Sequence, residues 1–296
     1  MYQELINILG KENVFTDEDM SKHTTFKAGG KAKYFVTPDS FERLSELIGF
    51  LKDKIDYYII GNGSNLLVKD EGYNGVIVKI GQKLSNITLD DKVMSCEAGA
   101  YVSKIANYAC ENSLGGLEFA AGIPGMLGGA VAMNAGAYGG EFKDIIISVT
   151  LMDRSGNIIE KSNEDMKFGY RKSIVQEEDY IVLSAKLKLE AGNKDEISDR
   201  MNELLKQRRD KQPLEYPSAG STFKRPEGYF AGKLIMDAGL KGYSVGGACV
   251  SEKHCGFVVN KGNATAADII RLMQDVADKV EAEFGVRLEP EVKIIG

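Results

Sequence analysis

Glycine is concentrated in one internal segment of this chain, and that segment restricts the folds open to it. Nine of the 26 residues from Gly115 to Gly140 are glycine, against 33 in all 296 residues. A backbone without Cβ atoms can adopt positive φ and can bring its amide groups close to a neighbour. That neighbour is either packed backbone in a core or a bound ligand, and the segment alone is compatible with both.

A shorter glycine motif, Gly61 to Asn65, lies between two apolar stretches and predicts a strand–turn–strand. A Rossmann fingerprint would need a third glycine where Leu66 stands and a helix after it. The Gly-Lys-Ser/Thr ending of a P-loop is also missing from the motif. An ordinary hairpin turn and a nest of backbone amides for a phosphate remain as interpretations. Two glycine loops in one half of a chain favour a large ligand with a diphosphate and a flat ring.

Composition excludes several classes of protein. The chain is 43% apolar with mixed charge, as in soluble globular proteins, and its length allows two or three domains. A net charge of −6 disfavours general nucleic-acid binding. No apolar run approaches the roughly 18–20 residues of a membrane span. The N-terminal segment lacks the basic flank and cleavage site of a signal peptide and predicts a short amphipathic helix.

Cysteine and histidine are scarce. The four cysteines form no Cys-x-x-Cys pair, and there are only two histidines. This pattern disfavours a metal site and predicts free, buried thiols in a reducing cytoplasm. A Ser-His-Asp hydrolase is disfavoured as well, because no histidine lies near the candidate serine in sequence.

Periodicity predicts the main helices and strands. The last helix has a capping box at Thr265 and Asp268, and Gly285 follows its end. The helix that begins at Lys194 ends before Pro213, and we take it as the candidate domain boundary. Other helices are predicted after Ser40 and from Val102, with strands near 57–61, 65–69, 75–79, 145–152 and 180–189 and a hairpin turn at 153–157 between two strands.

Cations are in local excess, although the chain is acidic overall. Such an excess fits an anionic substrate such as a sugar nucleotide, and it equally fits a solvated helix end followed by a loop. Ser221 stands among the cations in a run of small residues, where a hydroxyl can meet a ligand. Arg171, between two predicted strands, and Glu291, on a predicted strand, have no distinctive pattern by themselves. Between residues 206 and 225 the six cations are Lys206, Arg208, Arg209, Lys211, Lys224 and Arg225, and the two acids are Asp210 and Glu215.

Taken together, these segments resemble the MurB family, the UDP-N-acetylenolpyruvoylglucosamine reductases of cell-wall synthesis. The similarity runs almost end to end, and the order and joint presence of its motifs make it specific. The matching segments are Thr25–Gly30, Ile60–Leu67, Ala121–Gly125 with Gly128–Ala130, Asn134–Gly139, Tyr170–Arg171, Ala219–Lys224, Ala238–Gly242, His254–Asn260 and Glu291–Val292.

The resemblance implies an α+β fold with an FAD-binding domain of the vanillyl-alcohol-oxidase (PCMH) type in two subdomains, followed by an α+β substrate-binding domain. Residues 1–194 would form the first, with its PCMH-type part at 30–194, and residues 195–296 the second, whose last strand returns towards the active site. FAD is expected to bind noncovalently. The residues expected to hold it are Gly61, Asn62, Gly63, Ser64, Asn65, Ala121, Gly122, Ile123, Pro124, Gly125, Gly128 and Gly129.

The resemblance also implies the reaction, which reduces the enolpyruvyl ether of UDP-N-acetylglucosamine to UDP-N-acetylmuramate in peptidoglycan precursor synthesis. In the family NADPH reduces the flavin, and flavin N5 then gives hydride to C3 of the ether. A serine protonates C2, while an arginine and a glutamate stabilise the enolate. Those roles fall on Ser221, Arg171 and Glu291. The resemblance implies no metal and no nucleic acid, and we expect a cytoplasmic monomer.

This chain departs from the longer members of the family. Between Leu189 and Pro213 it shows one helix and no added hairpin, so it resembles the shorter type, which lacks the insert that places a tyrosine over the substrate. Lys211 matches a family lysine that contacts substrate phosphate. Arg225 stands where the longer type often has Asn, and with Lys224 it would extend the diphosphate side of the substrate site.

Two other functions stay open at this point. Another FAD oxidoreductase of the same fold, such as an alcohol oxidase, sometimes tethers its flavin through a histidine, but His23 is early and His254 late in the chain for that role. A non-catalytic sugar-nucleotide-binding protein would bind no flavin. The visible absorption spectrum of the purified protein separates this last function from both enzymes.

Overall fold

Helices and strands are interleaved along residues 1–296, all of which are described by a computed structural model. This is the α+β class that the sequence predicts. The helices are α1 (Tyr2–Leu9), α2 (Phe41–Leu51), α3 (Val102–Glu111), α4 (Leu127–Ala132), α5 (Ile174–Glu177), α6 (Lys194–Lys211), α7 (Ala231–Asp237) and α8 (Ala266–Phe284). The strands are β1 (Val14–Asp19), β2 (Lys31–Val36), β3 (Tyr57–Ile60), β4 (Leu66–Val68), β5 (Tyr73–Lys79), β6 (Ile87–Asp90), β7 (Val93–Glu97), β8 (Leu114–Gly115), β9 (Gly136–Ala137), β10 (Gly140–Glu141), β11 (Ile146–Met152), β12 (Ile158–Ser162), β13 (Ile181–Lys188), β14 (Glu190–Ala191), β15 (Ser244–Val245), β16 (Ala248–Val250), β17 (Val258–Asn260) and β18 (Lys293–Ile295).

The predicted helix caps are confirmed. At the start of α2, Ser40 Oγ accepts the backbone N–H of Arg43 at 3.2 Å. At the start of α8, Thr265 and Asp268 form the predicted capping box, and Gly285 ends the helix in the left-handed conformation at φ 67°. These side chains satisfy N–H groups that a helix terminus otherwise leaves unpaired. The short amphipathic helix predicted at the N-terminus is α1.

A five-stranded antiparallel sheet, in the order β12–β11–β13–β7–β6, is the largest sheet of the chain. The predicted turn at 153–157 joins β11 to β12, a strand that the sequence analysis did not predict. Strand β12 lies at the edge of the sheet, and its side chains alternate between exposed and half-buried. It therefore lacks the apolar run that announces a buried strand.

The first glycine motif is not a hairpin turn, so that interpretation was wrong. Strand β3 precedes the motif and pairs in parallel with β5. Strand β4 follows the motif and pairs in parallel with β18, the last strand of the chain. The motif therefore connects strands of two different sheets and is not bound by the geometry of a tight hairpin.

The chain divides into two compact units, each with its own core of buried apolar side chains. The last boundary between the two units falls inside α6, after Arg208. Two segments from the first half of the chain belong to the same unit as the residues after that boundary. The domain bounds 1–194 and 195–296 stay a prediction. Unit 1 comprises Met1–Phe15, Tyr34–Asn62 and Gly75–Arg208, and unit 2 comprises Thr16–Lys33, Gly63–Asn74 and Arg209–Gly296.

All four cysteines are buried and unbridged, as predicted. In unit 1, burial raises the pKa of the Cys96 thiol to about 12, so this thiol stays protonated and unreactive near neutral pH. None of the eight helices combines the length and the apolar composition that crossing a bilayer requires.

Asp70 holds the start of α8 from a distant part of the chain. Its two carboxylate oxygens accept the backbone N–H groups of Ala266 and Ala267, each at 2.8 Å. The negative charge also lies at the positive end of the helix dipole. A long-range cap of this kind ties the loop after β4 to the helix that forms the core of unit 2.

We predict that Asp70→Ala destabilises the protein by about 1 kcal/mol, because two helix N–H groups lose their partner. The free energy of unfolding from urea titration measures this. Glu71→Ala is the matched control, because the Glu71 side chain makes no ion pair or hydrogen bond and should change the free energy little. Equal losses in the two variants would show that the cap adds nothing.

Candidate active site

The two glycine loops are joined by a side-chain hydrogen bond. Asn62, in the first loop, donates from Nδ2 to the carbonyl oxygen of Pro124, in the second, at 2.6 Å. A Cβ atom on the neighbouring Gly61 would lie 3.3 Å from Cβ of Met126, so the loops also pack closely there. The two glycine loops therefore contact each other directly within unit 1.

Gly63 is required by packing. Its φ is +63°, and a Cβ atom at this position would lie 2.0 Å from the carbonyl oxygen of His23. No substitution with a side chain fits there without a shift of the backbone. A ligand is therefore not needed to explain this glycine, and its role in cofactor binding stays a prediction.

The second segment contains glycines of two kinds. A Cβ atom on Gly128 would lie 3.1 Å from Cβ of Ala98, whereas one on Gly129 would have no atom within 4 Å. Both lie in α4, where glycine is unfavourable by roughly 0.5–1 kcal/mol relative to alanine. Gly128 is explained by packing against Ala98. Gly129 has no such explanation within the protein, which favours a ligand on its open side.

A cavity of about 140 Å³ opens beside these glycines. Most of its walls are apolar, and they come from the end of β3, from α4, from α5 and from the start of β13. Pockets for whole ligands usually have some 300–1,000 Å³, so this cavity fits one part of a large cofactor. Its lining residues are Ile59, Ile60, Gly61, Ile80, Ala98, Gly128, Gly129, Ala132, Val175, Tyr180, Ile181 and Val182. The open glycine and the apolar walls suit a cofactor with a flat ring.

Arg171 lies in a tight turn with an uncommon backbone conformation. Its φ is 55°, in the left-handed region, which non-glycine residues seldom adopt. Arg171 Nη2 donates to the carbonyl oxygen of Gly136 at 3.3 Å, and the guanidinium stands 5.2 Å from the ring centre of Tyr170. Strained backbone of this type concentrates at functional sites. The side chain is half-buried, unlike the exposed surface residue that its local sequence suggests.

Three polar side chains fasten the Arg171 turn to the second glycine segment. Asn134 Nδ2 donates to Glu141 Oε2 at 2.9 Å and to the carbonyl oxygen of Gly169 at 3.0 Å. Ser173 Oγ and Gln176 Nε2 both donate to the carbonyl oxygen of Ala132, at 2.7 and 3.0 Å. Asn134 lies in one of the segments that match the family, but no role was expected for it, and Ser173 was not singled out in the sequence. The sequence indicated a role for these two residues only through their positions, within the glycine segment for Asn134 and two residues after Arg171 for Ser173.

Glu141 adds a negative charge near this turn. The hydrogen bond from Lys143, at 2.7 Å, lowers the pKa of the Glu141 carboxyl, and the Arg171 charge acts in the same direction. Glu141 is therefore ionised at neutral pH. In unit 1, the Arg171 guanidinium thus has the carbonyl oxygen of Gly136, the ring of Tyr170 and the charge of Glu141 in its surroundings.

Ser221 and Glu291 are brought close together in unit 2 by backbone pairing. The Glu291 N–H donates to the carbonyl oxygen of Thr222, and the Lys224 N–H donates to that of Glu289, each at 2.8 Å. An antiparallel bridge between Phe223 and Pro290 lies between these two bonds. Glu291 itself precedes the strand β18, a small correction to its predicted place on a strand. Asn65, predicted to contact the cofactor, donates from Nδ2 to the carbonyl oxygen of Glu291 at 3.0 Å.

The Ser221 hydroxyl makes no hydrogen bond within the chain, and its residue is exposed. The hydroxyl that stabilises the fold at this place belongs to the next residue, Thr222. This residue is fully buried, and its Oγ1 accepts the N–H of Val258 at 2.8 Å. A role for Ser221 as a cap or turn partner is therefore unsupported. Its hydroxyl is available to a ligand.

The three predicted substrate cations have different surroundings. Lys224 forms an exposed ion pair with Glu289 at 2.9 Å. The Arg225 guanidinium stacks over the ring of Phe230 at 4.0 Å, and its Nε donates to the carbonyl oxygen of Tyr229 at 3.3 Å. Lys211 ends α6. All three lie in unit 2, together with Ser221 and Glu291, whereas Arg171 lies in unit 1 with the second glycine segment.

The comparisons with known proteins first define a class. A family model described as an FAD binding domain matches residues 32–162. The structure of Phl p 4.0202, a glucose dehydrogenase, superposes with a TM-score of 0.51 over 64% of this chain and 44% of that chain, at 14% identity, which shows a shared fold alone. The fold and the glycine loops together define a flavoprotein of the FAD-binding type.

Longer matches then give the family. The model of the C-terminal domain of UDP-N-acetylenolpyruvoylglucosamine reductase matches residues 212–295. A reductase of that name from Clostridioides difficile (strain 630) is 53% identical over 100% of this chain and 98% of its own length. The MurB structure from Thermus caldophilus covers 96% of this chain and 98% of that chain, with a TM-score of 0.82 and 35% identity. The chain belongs to the MurB family.

We predict that Gly129→Leu releases the flavin without unfolding the protein. Leucine is a better helix former than glycine by close to 1 kcal/mol, and the protein offers no atom to clash with its Cβ. The side chain would instead fill the cavity. Flavin occupancy, from the visible spectrum, and the melting temperature of the apoprotein measure the two effects.

Gly49→Leu is the control for this experiment. Gly49 is an exposed glycine within α2, a Cβ atom there would likewise have no atom within 4 Å, and it lies outside the predicted cofactor residues, so this change should not lower flavin occupancy. Full flavin occupancy in a stable Gly129→Leu protein would remove α4 from the cofactor site.

Proposed function

We propose that this chain reduces the enolpyruvyl ether of UDP-N-acetylglucosamine to UDP-N-acetylmuramate, with NADPH as reductant and FAD as bound cofactor, in peptidoglycan precursor synthesis. The observation that carries this proposal is the backbone pairing that brings the segment of Ser221 alongside that of Glu291, in a chain 53% identical throughout to a reductase of this name.

FAD would be held by the two glycine loops, at Gly61–Asn65 and Ala121–Gly125, and by Gly128 and Gly129. When bound, it supplies the two-electron carrier between NADPH and the enolpyruvyl ether. Neither histidine supports a covalent tether. His23 pairs with Glu18 at 3.0 Å. His254 Nδ1 accepts the N–H of Gly256 at 3.1 Å, and burial lowers the pKa of this imidazole.

Arg171 and Glu291 would stabilise the enolate that develops when C3 of the ether is reduced. A guanidinium fixed beforehand costs no reorganisation when negative charge appears, which is the strongest electrostatic means that an enzyme has. Asn134, Ser173 and Gln176 fix the main chain of the turn that carries Arg171, and the guanidinium itself donates to the carbonyl oxygen of Gly136. Backbone bonds from Asn65 and to Thr222 hold the main chain at Glu291.

Ser221 would give its proton to C2. An alcohol is a weak acid in water, but it can protonate a carbanionic carbon that is more basic. A donor of this kind must keep its hydroxyl uncommitted until substrate arrives. The absence of a hydrogen bond within the chain meets that requirement.

Lys211, Lys224 and Arg225 would bind the diphosphate of the substrate. Lys224 and Arg225 follow Ser221 closely in sequence, so the anion and the reacting carbon are held by one segment. The exposed pair between Lys224 and Glu289 is weak, since exposed ion pairs contribute roughly 0–1 kcal/mol, and a diphosphate can displace the carboxylate.

The two other candidate functions are less well supported. The glucose dehydrogenase of related fold shares only the fold, at 14% identity, and this chain covers 44% of its length. A binding protein without flavin has no use for a cavity lined by Gly129. We further propose that the enzyme works as a monomer in the cytoplasm, where its four free thiols stay reduced.

We predict that mutation at Ser221 separates the two half-reactions. Ser221→Ala should keep the bleaching of flavin by NADPH but slow its reoxidation by the enolpyruvyl substrate by roughly 10²–10⁴, as expected for a lost general acid. Ser221→Cys should retain part of the rate, because a thiol also donates a proton. Stopped-flow absorption follows each step, and reoxidation of the alanine variant at the wild-type rate would make Ser221 structural.

We predict that Lys211→Gln, Lys224→Gln and Arg225→Gln each raise KM for the UDP-sugar more than they lower kcat. The diphosphate contact is the same in the ground state and the transition state, so its loss weakens both alike. Lys233→Gln is the matched control, because Lys233 is an exposed cation of unit 2 paired with Asp237. Steady-state kinetics with an unchanged KM in all three variants would remove the cations from the substrate site.

A further inference from the structure

Asn260, the last residue of β17, is a buried amide that uses both its donor and its acceptor atoms. Only 6% of the residue is exposed. Its Oδ1 accepts the backbone N–H groups of Gly262 and Ala264, at 2.9 and 3.1 Å. Its Nδ2 donates to the carbonyl oxygen of Phe26 at 3.0 Å and to that of Lys27 at 3.5 Å. The side chain thus joins two segments of unit 2 that are 234 residues apart in sequence.

The segment that Asn260 holds supports the first glycine loop. This supporting turn comprises residues 23–27. The carbonyl oxygen of Gly63 accepts the N–H of Thr25 at 3.2 Å, and a Cβ atom on Gly63 would stand 2.0 Å from the carbonyl oxygen of His23. Lys27, at the end of the turn, has a φ of 52°, which a residue with a side chain adopts at a cost. The bonds from Asn260 stabilise that conformation, and Gly63 packs directly on the turn.

The backbone of β17 holds the segment that carries Ser221. The N–H of Asn260 donates to the carbonyl oxygen of Pro217 at 2.9 Å. Two residues earlier, the N–H of Val258 donates to Thr222 Oγ1 at 2.8 Å. Ser221 lies between these two attachment points. One short strand therefore fixes both ends of the Ser221 segment, and the side chain at the end of that strand reaches the supporting turn.

We propose that Asn260 is a positioning residue that keeps Gly63 and the Ser221 segment at a fixed separation within unit 2. The inference rests on the proposed function, in which the cofactor held by the glycine loops and the carbon that Ser221 protonates must meet. Such a reaction depends strongly on placement, and a displacement of about 1 Å can lower its rate by roughly 10². In this role Asn260 acts through the supporting turn and through β17.

The variant that tests this is Asn260→Ala. At saturating FAD and substrate, reoxidation of the reduced flavin by the enolpyruvyl substrate should slow by about 10-fold, while KM for the UDP-sugar changes by less than about 2-fold. Stopped-flow absorption and steady-state kinetics measure the two quantities. The Kd of the apoprotein for FAD, from flavin fluorescence, should rise by about 5-fold, as expected for the loss of one ordinary hydrogen bond behind Gly63.

Asn260→Asp separates the two halves of the amide. A carboxylate keeps the acceptors for Gly262 and Ala264 but cannot donate to Phe26. If the link to the supporting turn sets the placement, this variant should be as slow as Asn260→Ala. A wild-type rate in Asn260→Asp would show that only the local turn after β17 matters, and it would overturn the proposal.

Asn13→Ala is the matched control, because Asn13 is also a buried amide with several partners. Its residue is 1% exposed, its Nδ2 donates to the carbonyl oxygen of Leu9 at 2.7 Å, and its Oδ1 accepts bonds from Thr37 and Lys83. None of these partners is a predicted site residue. Asn13→Ala should lower the melting temperature about as much as Asn260→Ala and leave the reoxidation rate and the Kd for FAD unchanged. Equal losses of rate in the two variants would make Asn260 a packing residue.

The remaining outcomes are also decisive. A raised KM with a wild-type rate at saturation would place the effect of Asn260 in substrate binding and reject a positioning role. A wild-type protein whose flavin the substrate does not reoxidise would contradict the proposed function instead. The FAD titration uses no turnover, so it still decides in that case whether Asn260 supports Gly63: a wild-type Kd in both Asn260 variants would reject the link. All measurements are made at a temperature at which circular dichroism shows each variant to be folded.

Discussion

The hydrogen bond from Asn62 to Pro124 joins the two glycine loops at the proposed cofactor site of unit 1. It joins two loops that are 62 residues apart in sequence and that follow different strands of the fold. A nest of backbone amides gains in strength when its donors are fixed before the anion arrives, because no ordering is left to do on binding. With the loops held together, Gly61 of the first loop and Gly128 and Gly129 of the second line the same cavity beside α4.

The glycines of these loops do not share one purpose. Gly63 and Gly128 are explained by close approach to His23 and Ala98, whereas Gly129 borders open space. Packing in the core is therefore confirmed for Gly128 of the glycine-rich segment, whereas a bound ligand at Gly129 stays a prediction. A glycine required by packing and one required by a ligand have the same sequence signature, since both lack a Cβ atom. Only the distance to the nearest neighbour distinguishes them.

The fold treats the proposed catalytic groups differently. The turn that carries Arg171 is strained and is held by bonds from Asn134, Ser173 and Gln176, whereas the hydroxyl of Ser221 makes no hydrogen bond within the chain. A charge that must stabilise an enolate works best when it cannot move. A proton donor works only while its proton is not given to the protein itself. The pairing of Thr222 with Val258 leaves Ser221 with that freedom.

Local sequence determined most of the secondary structure and the class of fold. The caps at Ser40 and Thr265 and the apolar stripe of α8 act through neighbours three or four residues away, so a short window contains the whole cause. The motifs of the family, read in order, were enough to name the cofactor and the candidate catalytic residues. The edge strand β12 was not predicted from the sequence, because its side chains are too exposed to form an apolar pattern.

Tertiary structure alone decided the contacts between residues far apart in sequence. The parallel pairing of β4 with β18, the cap that Asp70 provides to α8 and the place of Arg208 against Gly122 all depend on which segments meet in space. No window of sequence contains both partners, and nothing in either segment marks the other. The sequence by itself determined which residues this protein has for its chemistry. Packing decided which of them are held by partners within the protein and which, such as the Ser221 hydroxyl, have none.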